Sequence, residues 1–199
     1  MTPEFHPLIP ERWDDLEKLF GEHGATGGCW CMWWRQSRAE FNRLHGEANK
    51  QAFKNLVNSG TVPGLLAYVD DKPVGWCAVE PRESYSSLER SRTLARVDNR
   101  PVWSIPCFYV SRQFRGKGVM RCLINAAVDW AGKHGAKVVE AYPMDPVGRL
   151  PASWIYTGVV RIFSEAGFGE VLRRSKTRPI MRVNINSGFL KIELGKGLD

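Results

Sequence analysis

The stretch of sequence that decides the fold is residues 107–143, CFYVSRQFRGKGVMRCLINAAVDWAGKHGAKVVEAYP. The apolar run Val102–Val110 predicts a β-strand, and Pro106 inside it predicts a bulge or an interrupted ladder at that point. A basic turn with two glycines follows. The apolar spacing beyond the turn predicts an amphipathic helix over Gly118–His134, and Lys137–Tyr142 predicts another strand. The order strand, turn, helix, strand therefore predicts an α/β unit.

The turn Arg115–Gly118 combines positive charge with conformational freedom. Gly116 and Gly118 carry no Cβ, so the backbone can approach a ligand closely. The N–H groups that open the next helix carry the positive end of its dipole, and together with Arg115 and Lys117 they suit a pyrophosphate. The turn lacks both the third glycine of the dinucleotide motif and the Gly-Lys-Ser/Thr of a phosphate-binding loop. On these residues alone, a plain strand-to-helix turn with surface charge is the alternative.

The rest of the sequence predicts one mixed α/β domain over residues 1–185 and a polar tail over residues 186–199. Residues 81–101 are polar and irregular, which predicts either a solvated excursion or a loop that lines a site. Further strands are predicted at Phe5–Ile9, Leu65–Val69, Val74–Val79, from Phe168 onward and at Ile180–Ile185. Further helices are predicted at Trp13–Phe20, Arg38–Asn58 and Gly158–Ala166.

Composition excludes several classes of protein. With 43% hydrophobic and 25% charged residues, the chain of 199 residues is of ordinary globular composition, and its net charge of +7 suits an anionic partner. No apolar run reaches the roughly 18 residues of a membrane helix, and no secretory signal opens the sequence, so we expect a cytoplasmic protein. The five cysteines are expected to be reduced thiols. No Cys or His pair completes a zinc site with Cys29 and Cys31, so no metal is expected.

The motif V-x-x-x-x-R-G-x-G at residues 110–118, with Ala-Gly-Phe at residues 166–168, resembles the GCN5-related N-acetyltransferase (GNAT) family. The resemblance implies a single acyl-CoA N-acyltransferase domain with a cofactor-binding core at about residues 60–185. Its α/β (α+β) fold would have a mixed, mostly antiparallel sheet that is flanked by helices and splayed at the cofactor strand. The implied co-substrate is acetyl-CoA, with its pyrophosphate on the turn and its pantetheine along the preceding strand. The residues implied to bind it are Phe108, Tyr109, Val110, Arg115, Gly116, Lys117, Gly118, Val119 and Met120.

Two residues depart from the family pattern. Met120 stands where the family has glycine or alanine, so its side chain must point away from the phosphates. Phe163 stands where many members carry a tyrosine that is proposed to protonate the leaving CoA thiolate, and phenylalanine cannot donate a proton. Either another residue donates that proton, or the thiolate leaves unaided.

Acetyl transfer to an amine needs a group that accepts a proton and a group that polarises the thioester carbonyl. Glu80 is the candidate base and Glu83 is a candidate acceptor contact, with a solvated loop carboxylate as the alternative for each. Tyr156 is the candidate acid in place of the missing tyrosine, with a wall-lining aromatic residue as its alternative. The backbone N–H of Val110 is the candidate donor to the thioester carbonyl.

Three of the eight tryptophans fall close together at Trp30, Trp33 and Trp34. One interpretation is an aromatic plug that closes the core. The other is the wall of an acceptor site, because indole faces attract a protonated amine. We expect such a wall to favour a small apolar or aromatic amine over a protein tail.

The sequence therefore predicts an enzyme that moves the acetyl group of acetyl-CoA directly to the primary amine of a small molecule in a ternary complex. The alternative is a non-catalytic module on the same fold that binds acyl-CoA or RNA. The basic residues concentrate at one turn and within residues 82–100, and do not interleave with aromatic residues as in an RNA-binding sheet, which argues against nucleic acid. A homodimer is left open, and no membrane partner is expected.

Overall fold

Seven strands form one mixed sheet in the order β1-β2-β3-β4-β5-β7-β6. The computed structural model describes residues 2–146, 148 and 155–185. Strands β4 and β5 pair in parallel, and the other neighbouring strands pair antiparallel, which confirms the predicted sheet. The strands are β1 (Glu4–Pro7), β2 (Gly64–Val69), β3 (Lys72–Pro81), β4 (Trp103–Val110), β5 (Val138–Ala141), β6 (Gly169–Arg173) and β7 (Pro179–Asn184).

Helices cover both faces of the sheet. Because side chains alternate along a strand, Cys77 and Val79 of β3 pack with α5, whereas Trp76 and Ala78 pack with α1 and α3. Both faces of the central strands are therefore buried. No helix in the described parts of the chain is both long and apolar enough to cross a bilayer. The helices are α1 (Trp13–Phe20), α2 (Arg38–Arg43), α3 (Glu47–Asn58), α4 (Ser86–Glu89), α5 (Val119–Lys133) and α6 (Val160–Glu165).

The sheet opens between β4 and β5 at Pro106. Pairing of these two strands ends at Ile105 with Ala141, and proline has no N–H with which to continue the ladder. Beyond this point the edge of β4 faces a separate segment, where the Phe108 N–H donates to the Tyr156 carbonyl at 2.6 Å. Residues two apart along a strand turn their N–H groups to the same edge, so the Val110 N–H also faces this opening.

The helix predicted over Arg38–Asn58 is in fact two helices, α2 and α3. The Ser37 hydroxyl caps α2 by accepting from the Glu40 N–H at 3.2 Å, and Gly46 breaks the run with a φ of +79°. A Cβ on Gly28 would lie 2.9 Å from the Gly46 nitrogen, so the break lets another backbone segment pass close by. Phe41 and Phe53 still reach the same core, which is why the apolar spacing looked continuous.

Residues 81–101, predicted as either a solvated excursion or a site-lining loop, form a partly exposed segment that buried side chains tie to the sheet. Arg82 is fully buried, and its guanidinium donates to Glu140 of β5 at 2.7 Å. Arg182 of β7 donates to the other oxygen of the same carboxylate, also at 2.7 Å. Arg82 also donates to the Leu94 carbonyl at 2.7 Å, which ties the segment to the sheet. The predicted polar tail, residues 186–199, lies outside the described residues.

Candidate active site

The basic groove is a cavity of about 690 Å³ where β4 turns into α5. Gly116 and Gly118 hold positive φ angles of 75° and 81°, and Gly118 occupies the N-cap position of α5. A Cβ built on either glycine would meet no other protein atom within 4 Å, so the space over this turn is open. All nine residues predicted to bind the co-substrate line this groove: Phe108, Tyr109, Val110, Arg115, Gly116, Lys117, Gly118, Val119 and Met120.

Cationic side chains border the groove from two helices and the turn. Arg115 is fixed by donating its Nε–H to the Val110 carbonyl at 2.9 Å, which leaves the rest of its guanidinium for a ligand. Arg121 of α5 and Arg161 of α6 add two further positive charges, and Glu165 is the acidic residue on the wall. Open main-chain N–H groups at a helix start, surrounded by arginine and lysine, fit the pyrophosphate of a coenzyme A molecule.

The apolar cavity, of about 230 Å³, lies on the other side of β4. Its walls come from the end of α1, the segment 25–34, α2 and the middle of β3 and β4. The two cavities share Thr26, Phe108, Tyr109 and Tyr156, so they meet at the opening in the sheet. The residues lining the apolar cavity are Phe20, Ala25, Thr26, Gly27, Cys29, Cys31, Trp33, Trp34, Phe41, Trp76, Cys107, Phe108, Tyr109 and Tyr156.

The three clustered tryptophans divide between the two roles that the sequence suggested. Trp30 is a core residue that stacks on Trp13 at 6.2 Å between ring centroids, and it is not among the residues that line either cavity. Trp33 and Trp34 line the apolar cavity. Arg38 covers one face of the Trp33 ring at 4.1 Å. The Nε1–H of Trp34 is buried without a hydrogen-bond partner.

Neither predicted carboxylate lines the two cavities. Glu80 forms a buried ion pair with Arg35, so its charge is already committed within the protein. Glu83 is exposed, and its ion pair with Arg96 at 2.7 Å lowers the pKa of its carboxyl group. Glu80 is therefore paired with Arg35 inside the protein, and Glu83 lies outside the walls of both cavities.

Tyr156 lies where the two cavities meet. Burial raises the pKa of its phenol, and the nearby Arg178 acts in the opposite direction. Phe163 is fully buried against Phe108 and Phe168, with ring centroids 6.0 and 5.0 Å away, and so serves as a core residue. Tyr156 thus carries a phenol, which can donate a proton, where the two cavities meet. The phenyl ring of Phe163 has no proton to donate.

Thr26 and Cys31 are among the residues of this site that the sequence did not reveal. Thr26 belongs to the glycine-rich segment Gly24–Gly28 and lines both cavities. Cys31 lines the apolar cavity, and the Trp76 Nε1–H donates to its Sγ at 3.2 Å. The glycine-rich composition was a signal for the first. For the second there was none, because Trp76 is 45 residues away in the sequence.

No three His, Cys, Asp or Glu side chains lie together as a metal site would need, among the residues that the structure describes.

A seven-stranded sheet that opens beside a basic turn into α5 defines the class of CoA-dependent acyltransferases. The family model for the acetyltransferase (GNAT) family matches residues 28–147. The chain therefore belongs to the GNAT family, as the turn motif indicated.

Similar proteins share this fold at low sequence identity. An uncharacterised N-acetyltransferase of Methanocaldococcus jannaschii is 31% identical over 105 residues, which are 51% of this chain and 42% of that relative. The chain thus matches less than half the length of this curated relative. The PaiA N-acetyltransferase of Thermoplasma acidophilum, solved with coenzyme A, superposes with a TM-score of 0.53 at 15% identity over 93% of this chain and 100% of that one. The ribosomal-protein-alanine N-acetyltransferase of Brucella melitensis gives 0.51 at 16% identity over 92% and 99%.

Proposed function

We propose that the protein transfers the acetyl group of acetyl-CoA to the primary amine of a small apolar or aromatic molecule, within a ternary complex. The observation that carries the proposal is the junction of the two cavities at Phe108, Tyr109 and Tyr156. The basic groove suits the anionic half of the co-substrate. The apolar cavity reaches the same residues from the other side of β4, so a thioester and an amine can meet without a covalent enzyme intermediate.

The shape of the apolar cavity supports a small acceptor. Its volume of about 230 Å³ lies below the range of about 300–1,000 Å³ that is usual for ligand pockets. Its described walls are mostly aromatic rings and thiols, and no carboxylate, lysine or arginine lines it in that part of the chain. Indole and phenol rings attract a protonated amine through their faces and also contact an apolar body.

The residues at the junction have separate tasks in this reaction. Acetyl-CoA supplies an activated acetyl thioester when it is bound. The Val110 N–H, on the open edge of β4, donates in this proposal to the thioester carbonyl oxygen and stabilises its developing negative charge. Tyr156 keeps its proton because burial raises its pKa, so it can donate to a leaving thiolate. The aromatic walls exclude water from the amine.

The co-substrate site is tested by Gly118→Ala. The new Cβ would enter the open space over the turn, so we expect the affinity for CoA to fall by at least about tenfold, measured by calorimetry. Gly60→Ala is the matched control, because Gly60 also has a positive φ, of 89°, and open space around it, but lies outside both cavities. Equal CoA affinity in the two variants would place the phosphate site elsewhere.

The acceptor is tested by thiol release across a panel of amines. We expect turnover with aromatic and apolar monoamines, and less with peptides that begin with the same amine. CoA binding without turnover on any amine would favour the non-catalytic module instead. Turnover restricted to peptides would keep the acetyltransferase and overturn the small-molecule acceptor.

A further inference from the structure

Cys31 occupies an unusual place in the wall of the apolar cavity. It is only 6% exposed, yet it lines the cavity together with Cys29 and Cys107. Its backbone adopts a φ of +59°, directly after Trp30 with a φ of +42°. Non-glycine residues seldom adopt this left-handed conformation, and two in succession cost free energy that the surrounding packing must offset. The chain therefore holds this thiol in a position that its local sequence does not favour.

Three groups around Cys31 stabilise its thiolate. The Trp76 Nε1–H donates to Sγ at 3.2 Å. The neighbouring Cys107 lowers the pKa of Cys31 most, against the opposing effect of burial, and the Arg35 charge lowers it further. The pKa of Cys107 is raised, so Cys31 is the more acidic thiol of the pair. The titratable groups that act on or face Cys31 are Cys29, Arg35, Cys77, Glu80, Tyr85 and Cys107.

The other titratable groups with shifted pKa values on this wall are poor proton acceptors. Burial raises the pKa of Cys29 to about 11 and also raises the pKa of Tyr156. Glu80 is paired with Arg35 and does not line the cavity. Among the described residues, no aspartate, glutamate or histidine lines the cavity. Cys31 is thus the lining group whose surroundings most favour accepting a proton from an ammonium group.

A second buried group points to a ligand in the same cavity. Trp34 is 6% exposed and lines the cavity, and its Nε1–H has no hydrogen-bond partner among the residues that the structure describes. A buried donor without a partner costs free energy unless a ligand supplies an acceptor atom. The cavity therefore offers a hydrogen-bond donor at Trp34 and a proton acceptor at Cys31, which matches an amine that also carries an oxygen or another hydrogen-bond acceptor.

We propose that the Cys31 thiolate is the general base that removes a proton from the ammonium group of the acceptor. This inference rests on the proposed acetyl transfer. The N–H bond of the ammonium breaks and an S–H bond forms on Cys31. The freed nitrogen lone pair forms the C–N bond to the thioester carbonyl carbon, and the C–S bond breaks. Tyr156 donates its proton to the departing CoA thiolate and takes up the second amine proton in exchange. The products are the amide, CoA thiol and a proton that Cys31 later returns to water.

The kinetic test compares Cys31→Ser with Cys122→Ser in the full-length protein. Serine cannot act as an anion near neutral pH, so we expect kcat/KM for the amine to fall about 100-fold in Cys31→Ser, with CoA affinity unchanged. Cys122 lies on α5 outside both cavities, so its variant should keep wild-type kinetics. The wild-type profile should rise with pH to a plateau as Cys31 ionises, and this limb should be absent in Cys31→Ser.

A second measurement does not depend on turnover. The ultraviolet thiolate absorbance of the wild type minus that of Cys31→Ser should titrate below the ordinary cysteine pKa of about 8.5. A higher midpoint would overturn the inference even if no acceptor is found. An acetyl adduct on Cys31 after incubation with acetyl-CoA alone would also overturn it, in favour of a covalent role. If amines are acetylated and Cys31→Ser retains the wild-type rate and profile, the base is another group and the proposed function still stands.

Discussion

The basic groove and the apolar cavity meet at the opening in the sheet, but they are built in opposite ways. The part of the groove proposed to bind the pyrophosphate is one turn, Arg115–Met120, where backbone N–H groups are expected to make most of the contacts. The cavity is formed by side chains from α1, the segment 25–34, β3 and β4. A ligand held by main-chain groups stays bound when one side chain is lost, whereas a ligand held by side chains loses a contact. We therefore expect a single side-chain substitution to weaken binding more in the apolar cavity than in the basic groove.

The largest effect should come from the ion pair next to the cavity. Glu80→Gln leaves the buried Arg35 charge without its partner, so we expect the free energy of unfolding to fall by about 3 kcal/mol. Glu83→Gln removes an exposed pair with Arg96 and should cost less than about 1 kcal/mol. Urea unfolding of the two variants measures the difference. Equal decreases in the free energy of unfolding would mean that the buried Arg35–Glu80 pair stabilises the protein no more than the exposed Arg96–Glu83 pair does.

Tyr156→Phe should have the next largest effect. We expect kcat to fall about tenfold, less than the usual range of about 10²–10⁴ for acid–base groups because a thiolate leaves readily. Since burial raises the pKa of Tyr156, its proton should stay in place up to at least the ordinary tyrosine pKa of about 10. The wild-type kcat should therefore show no decline below that pH from loss of this acid. A decline that disappears in Tyr156→Phe would contradict the assigned shift.

Trp33→Leu tests the aromatic wall. It removes one indole face, so we expect KM for the amine to rise about fivefold while the CoA affinity stays constant. Trp130→Leu is the control, because Trp130 lies on α5 and contacts His134 at 4.0 Å between ring centroids, outside both cavities. A larger change in CoA affinity than in KM would show that the two cavities are not separate in function.

The smallest effect should be that of Lys117→Ala in the groove. Its backbone N–H is retained and only a side-chain charge is lost, so we expect CoA affinity to fall about threefold, and less at high salt. Lys133→Ala, at the other end of α5, should leave the affinity unchanged. A loss of more than about tenfold in Lys117→Ala would show that side chains hold the phosphates and would remove the contrast between the two sites.

This contrast also explains what the sequence could reveal. The groove was predictable because glycine, charge and helix start lie within six consecutive residues, and each has a local physical meaning. The opening at Pro106 was predictable for the same reason, since proline alone ends a ladder. Both features depend on short-range geometry.

The apolar cavity depends on tertiary contacts, which a single sequence does not show. Cys31 is unremarkable until Trp76 and Cys107 are placed beside it. Trp30 and Trp34 are alike in type and four positions apart, yet one packs on Trp13 and the other lines the cavity. The break at Gly46 likewise follows from the passage of Gly28, not from the apolar spacing of the helices.

The Phe108 N–H donates a hydrogen bond to the Tyr156 carbonyl at 2.6 Å. This carbonyl therefore competes with any ligand that pairs with the open edge of β4. A ligand that pairs with β4 at Phe108 must first displace that carbonyl, so its measured affinity is lower than its contacts alone would give. Amide hydrogen exchange at Phe108 would then report which of two acceptors, the chain's own carbonyl or the ligand's, occupies the edge. Because Tyr156 also lines both cavities, we expect such a displacement to change the shape of the apolar cavity as well.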